Sequence, residues 1–217
     1  MDIQANLKEV IAELPTNVRL VAVSKFHPAE AIEAAYSAGQ RIFGESKEQE
    51  LSGKHEQLPK DIEWHFIGHL QTNKVKYIAP YIAMIHAADS YKLLVEINKQ
   101  AAKHERTIPC LLEIHIAQEE SKYGFMLEEV EDAIMTIKDF PHVHIKGLMT
   151  IAPFVENPEE NRGIFKKLFE FAVDIDKKNI DNVTMDVLSM GMTGDYEVAV
   201  EEGATMVRVG TGIFGVR

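Results

Sequence analysis

Eight short runs of β-branched, aliphatic and aromatic residues recur along the chain, and this rhythm limits the available folds more than any other feature. The runs are VRLVAVS (18–24), RIFGE (41–45), EWHFIG (63–68), MIHAADS (84–90), IPCLLEIHIA (108–117), HIKGLMTIA (144–152), TMDVLSM (184–190) and TMVRVG (205–210). Short apolar runs separated by helix-period segments read as strands of a parallel sheet joined by crossover helices. PAEAIEAAYSAG places Pro28 at a first helical position, Ile32, Ala35 and Tyr36 on one face, and Gly39 as the stop. NPEENRGIFKKLFEFAVDI offers Asn157 as an N-cap, Pro158 after it, Glu160 for a capping box, and a stripe of Ile164, Leu168, Phe171 and Ile175. Eight strands alternating with helices is the count of a (β/α)8 TIM barrel. A doubly wound open sheet is the competitor, but it usually has fewer strands and a glycine-rich turn after the first one, where this chain has SKFHP. Residues 1–217 show no internal repeat or low-complexity linker, so they read as a single α/β domain.

Composition removes several classes of function. The chain has 217 residues, 46% of them hydrophobic, enough to bury a substantial core. No apolar run approaches the roughly 20 residues needed to span a bilayer. The opening MDIQANLKEVIAEL reads as a mixed-charge amphipathic helix and not a signal peptide, so the expected location is cytoplasmic, with no membrane partner. Acidic side chains outnumber basic ones by 34 to 23, and the net charge of −11 repels nucleic acid at long range, leaving room only for a local pocket that takes a small anion. The single cysteine, Cys110, sits inside the apolar IPCLLEIHI and reads as a buried small hydrophobe.

In a barrel of this kind the loops after the strands' carboxyl ends carry the chemistry. Lys25 falls at the first such end, where its ammonium must be paired, desolvated or covalently used. Glu45 and Asp89, at two other strand ends, are candidate ion-pair partners for it. GHLQTNK follows the third run, ESKYG the fifth, and Met149 lies in the sixth. SMGMTGD, with Ser189 and Thr193, runs into a helix start that offers free N–H groups, and RVGTG repeats the device with Gly210, Thr211 and Gly212. Together these two turns make a phosphate cradle at the seventh and eighth strand ends, a position many barrels share. A lysine across the barrel mouth from such a cradle fits a phosphorylated aldehyde held as a Schiff base.

VAVSKFHP, FGES, WHFIGHLQTNK, EESKYGF, IKGLMTIAP and LSMGMTGDYEVAVEEGATMVRVGTGIFG together closely resemble the pyridoxal phosphate homeostasis proteins, the YggS/PROSC family of PLP-binding proteins, which are similar to the barrel domain of alanine racemase. The likeness runs from about Val21 to Phe214. It departs at Ser46, where the family commonly has asparagine. The resemblance implies a cofactor, pyridoxal 5'-phosphate (PLP), bound to Lys25. It also implies phosphate held by Thr193, Gly210 and Thr211 with Ser189 nearby, and Arg208 against the pyridine nitrogen. On the residues alone, Arg208 equally suits a barrel carboxylate.

An arginine donates to a ring nitrogen without giving up a proton, so the pyridine stays neutral and is a poor electron sink. In alanine racemase a second base, a tyrosine, comes from an added domain, and this chain is expected to lack that domain. Tyr36 and Tyr123 read as structural or rim residues. His65 with His69 and His142 with His144 lack a completing carboxylate set, so no metal is expected. The resemblance implies a protein that holds, buffers or delivers PLP, with apo PLP-dependent enzymes as partners and a monomeric state. The alternatives are a slow PLP-dependent racemase or lyase, and a phosphosugar-type barrel enzyme that uses Lys25 without PLP.

Overall fold

In a computed structural model the chain is described at residues 2–116 and 123–216. All eight apolar runs form strands: β1 Arg19–Val23, β2 Ile42–Glu45, β3 Glu63–Phe66, β4 Met84–Ala88, β5 Ile108–Glu113, β6 Val143–Met149, β7 Val183–Met192 and β8 Met206–Val209. Each pairs in parallel with its sequence neighbour, and β1 pairs with β8, which closes the barrel. Helices α1 Ile3–Glu13, α2 Ala29–Ser37, α3 Glu48–Gln57, α4 Val75–Ile78, α5 Tyr91–Lys103, α6 Leu127–Ile137, α7 Arg162–Asp176, α8 Tyr196–Glu201 and α9 Thr211–Phe214 occupy the outside and the crossovers. The fold is the TIM barrel that the strand rhythm predicts. No helix among the described residues is long and apolar enough to cross a membrane.

Local chemistry sets the helix starts. The Asp2 side chain accepts the Ala5 N–H at 3.0 Å and opens α1, and Ser90 accepts the Leu93 N–H to open α5. Pro28 stands at the cap of α2, one position before the place the sequence pattern assigns it. The expected capping box at Glu160 does not form: Asn157 Oδ1 accepts from Glu159 and opens a single 3-10 turn, so α7 begins only at Arg162. Its stripe still docks, with Phe165, Leu168, Ala172 and Ile175 buried and Ile164 and Phe171 at the edge.

Alternation along the strands sorts side chains into two cores. Leu20, Ala22, Trp64, Leu188 and Val207 point outward into the helix layer, whereas Val21, Met84, Leu111, Met149 and Met206 meet inside the barrel as an apolar layer. One inward step further along β4 and β8 come His86 and Arg208, joined by His65 of β3 and Ser189 of β7. All four are buried, none more than 4% exposed. The barrel therefore carries an apolar floor and a polar layer above it.

Candidate cofactor-binding site

Above the polar layer lies a cavity of about 430 Å3 whose walls include Lys25, Thr193, Arg208, Gly210 and Thr211. Five of the six residues singled out from sequence as cofactor ligands thus share one cavity. The sixth, Ser189, does not line it. It is fully buried, its hydroxyl lies 3.0 Å from His86 Nδ1, and it takes a 2.6 Å hydrogen bond from Arg208 Nη1. Its place is behind Arg208, because residue 189 is on an inward strand position beneath the mouth while Thr193 lies beyond the strand end.

The turn that presents Lys25 is held from behind. Phe26 adopts a left-handed backbone with φ of 66°, a costly conformation for a bulky residue, and its N–H donates to the Glu50 carboxylate. Lys54 of α3 donates to the Ser24 carbonyl at 2.8 Å, to Glu45 at 2.7 Å and to Glu50 at 2.6 Å. Ser24 Oγ also donates to Glu45, at 2.6 Å. Burial pushes the Glu45 carboxyl upward, opposed by Lys54 and Ser24. Glu45, weighed from sequence as a partner for Lys25, is thus bonded to Lys54 and Ser24. Asp89, the other candidate, lies 2.5 Å from His69 Nδ1. His27 stacks on Phe214 with ring centres 5.0 Å apart, which ties the lysine turn to the exit of β8.

Across the mouth, Thr193 Oγ1 accepts from the N–H groups of Gly210 at 3.3 Å and Gly212 at 3.5 Å. These long bonds leave both donors weakly engaged. A Cβ on Gly212 would lie 3.2 Å from Thr193 Cγ2, so a side chain there would crowd this wall of the cavity. Asp195 closes the preceding turn by accepting from Met192 N–H at 2.7 Å, and Asn161 donates to its other oxygen at 2.9 Å. Both residues line the cavity, and sequence reading passes over them: Asn161 looks like a helix-start polar residue and Asp195 like part of a turn.

Arg208 donates Nη1 to the Ser189 carbonyl and hydroxyl and Nη2 to the Thr150 carbonyl at 2.8 Å. The guanidinium carries five N–H bonds, so two remain without an acceptor among the described residues, in a side chain that lines the cavity. Burial lowers its pKa to about 10, with Glu113 and Asp195 opposing, and it stays charged at neutral pH. Among the described residues no carboxylate bonds to it directly.

Glu113 ends β5 close to Arg208, Asp89 and His69. Its carboxyl is pushed up to about 7 by burial first and by Asp89 second, against the pull of Arg208 and His69. A carboxyl raised in the folded state binds its proton more tightly there than in the unfolded chain. Its contribution is therefore present below the ordinary value near 4.5 and is lost as pH rises through about 7. Glu113→Gln is expected to flatten the decline in stability across that window by at most about 3 kcal/mol. Denaturant midpoints measured for both proteins from pH 5 to 8 check this, and parallel curves would refute it.

Neither Tyr36 nor Tyr123 lines the cavity. Tyr36 donates to Asp61 at 2.8 Å, just before β3 and hence at the barrel's amino end, and that bond raises its pKa. Tyr123 is exposed and stacks on His69 at 3.8 Å. Glu120, Ser121 and Lys122 of the ESKYG stretch lie outside the described residues. His65 and His69 do not share a strand, because β3 ends at Phe66, and His142 Nδ1 donates to the Arg106 carbonyl at 2.9 Å on the amino side. Among the described residues no three His, Cys, Asp or Glu side chains gather as a metal ion would need.

The whole chain, residues 1–217, matches the family model described as "Alanine racemase, N-terminal domain". It is 43% identical over 200 residues to the pyridoxal phosphate homeostasis protein of Aquifex aeolicus, covering 92% of this chain and 87% of that one. The belonging is settled by that identity over that span. The chain belongs to the pyridoxal phosphate homeostasis family. The Escherichia coli member is 36% identical over 94% of this chain and 87% of its own. The structure of PipY of Synechococcus elongatus with PLP bound superposes with a TM-score of 0.91 at 35% identity, covering 98% of this chain and all of that one. Alanine racemase from Bartonella henselae, 16% identical, has a TM-score of 0.74 and shares the fold, with this chain spanning 58% of its length.

Proposed function

We propose that this chain holds PLP in the cavity on Lys25 and hands it over to amine acceptors, as a cytoplasmic, monomeric member of its family that supplies apo PLP-dependent enzymes. The observation that carries the reading is the shared cavity: one lysine, one charged arginine with unspent donors, and a glycine-threonine turn pair face the same space. When bound, PLP supplies an aldehyde that condenses reversibly with amines, a pyridine nitrogen and a phosphate dianion. The residues fit those groups. Lys25 would bond the aldehyde carbon, the N–H groups of Gly210 and Gly212 with the hydroxyls of Thr193 and Thr211 would take the phosphate, and Arg208 would face the pyridine nitrogen.

The mouth supports hand-over. Phe154, 96% exposed, and Ile151, half exposed, stand at the cavity wall without a covering element among the described residues. An open mouth admits free amines and leaves any developing negative charge in contact with water, which weakens electrostatic stabilisation of a carbanion. Arg208 adds to this because it donates without protonating the ring.

Thr193→Ala and Thr211→Ala are each expected to weaken PLP retention by about 1–2 kcal/mol, the scale of one hydrogen bond to a charged group. Fluorescence titrations of both variants with PLP and with pyridoxal, which lacks the phosphate, check it. Pyridoxal affinity should be nearly unchanged, and equal losses for the two compounds would remove phosphate contact as the explanation.

A further inference from the structure

Beneath Arg208 runs a buried polar chain that does not itself touch the cavity. Arg208 Nη1 lies 2.6 Å from Ser189 Oγ, that oxygen lies 3.0 Å from His86 Nδ1, and His86 Nε2 lies 2.8 Å from His65 Nδ1. The four residues come from β8, β7, β4 and β3, so the chain crosses the barrel interior from wall to wall. We propose that His86, backed by His65, is a positioning residue for Arg208, acting through Ser189 in a one-way hydrogen-bond chain that aims the guanidinium's unspent N–H bonds at an acceptor nitrogen in the cavity. The proposal rests on the reading that PLP occupies that cavity.

The direction of the chain follows from which atoms have hydrogens to give. Arginine has donors only, so Ser189 Oγ accepts from it. The serine hydrogen then goes to His86 Nδ1, which must be the bare nitrogen of that ring. The His86 proton sits on Nε2 and is donated to His65 Nδ1, which places the His65 proton on its own Nε2. The opposite order would aim hydrogens from both Arg208 and His86 at one serine oxygen. It would also strand the serine O–H without an acceptor among the described residues, in a fully buried place. Both rings must be neutral for this, since an imidazolium has no lone pair to offer. Burial holds them so, bringing His65 down to about 3 and His86 well below its ordinary range, with Arg19 acting on the first and His65 and Arg208 on the second.

What the chain accomplishes is restraint of a group with other attractions. Glu113 and Asp195 both favour the Arg208 charge from nearby, yet the hydrogen bonds of the guanidinium go to Ser189 and Thr150. With three hydrogens fixed on the inner side, the remaining two bond to neither carboxylate. The serine hydroxyl would rotate freely if nothing accepted its hydrogen, and His86 is what stops it.

The first test needs no cofactor. Nitrogen-15 spectra of the protein labelled at histidine should show Nε2–H tautomers for both buried rings, and an Nδ1–H tautomer at His86 overturns the chain. The second compares PLP with its 1-deaza analogue, which lacks the ring nitrogen. His86→Leu should weaken PLP binding by about tenfold, one hydrogen bond to a charged group, and leave the analogue unchanged. His86→Asn, whose Oδ1 stands near the position of Nδ1, should restore most of the loss. Equal losses for the two compounds, or none, would overturn the role given to His86. Should His86→Leu fail to fold, Ser189→Ala provides the same comparison. Wild-type protein that binds neither compound defeats the cofactor reading and the aiming role with it, and the tautomers still decide the direction of the chain.

Discussion

Lys25→Ala is expected to abolish the borohydride-reducible adduct with PLP while leaving phosphate-dependent binding measurable. The lysine stands at the end of β1 and the turns proposed to take the phosphate at the ends of β7 and β8, so the cavity keeps that wall when the amine is gone. The clamp behind the turn, made by Lys54, Glu45, Glu50 and Ser24, uses backbone and side-chain atoms other than the Lys25 amine and should hold the turn in the variant. Adduct stoichiometry should fall from one per chain to none after reduction and mass spectrometry. The residual site should prefer PLP to pyridoxal by about tenfold or more, as charge-assisted hydrogen bonds would give. An undiminished reducible adduct in the variant would place the aldehyde on another lysine.

Gly147→Ala is the substitution with the largest expected effect on the fold. Gly147 lies in β6 with φ of 152°, and a Cβ there would sit 1.8 Å from the Val187 carbonyl oxygen. No side-chain rotation relieves a collision with backbone, so β6 and β7 must separate at the place where their register already shifts between Ile145 and Gly147. The cost should reach about 4 kcal/mol or more, a large fraction of a domain's whole stability. Because β7 leads directly into Thr193, PLP retention should fall along with the urea midpoint. A midpoint within about 1 kcal/mol of the unmodified protein would mean that the two strands pair in a different register.

Much of this fold is legible in the sequence because parallel strands buried on both faces advertise themselves as β-branched and apolar runs, and all eight here do so. The cavity wall is legible for a related reason. Lys25, Thr193, Arg208, Gly210 and Thr211 follow or end strands, and closure of the barrel brings every strand end to one rim. What lies one layer down is not legible. His65 and His86 occupy inward positions in WHF and MIH that look like any core position, and only closure shows that two strands and a third and fourth beyond them meet around Ser189. The same limit explains Ser189 itself, whose place beneath Arg208 depends on how far β7 extends. Lys54 escaped notice because EQELSGKHEQ carries so much charge that it reads as a solvated face, yet this lysine is only 7% exposed and holds the turn that presents Lys25. Local pattern reports which face a residue is on, and the partners it meets there are set by topology.

The central claim, that the chain carries PLP and does not turn over amino acids, is tested most directly by incubating the PLP-loaded protein at high concentration with alanine or serine in heavy water. Deuterium entry at Cα and release of PLP to the amine are followed together. The account predicts release that outpaces any Cα exchange, because an arginine at the ring nitrogen would leave it unprotonated and Phe154 at the cavity wall is exposed to water. Cα exchange in the usual enzymatic range of roughly 1–10³ s⁻¹, with PLP retained, would contradict it and establish a racemase or lyase.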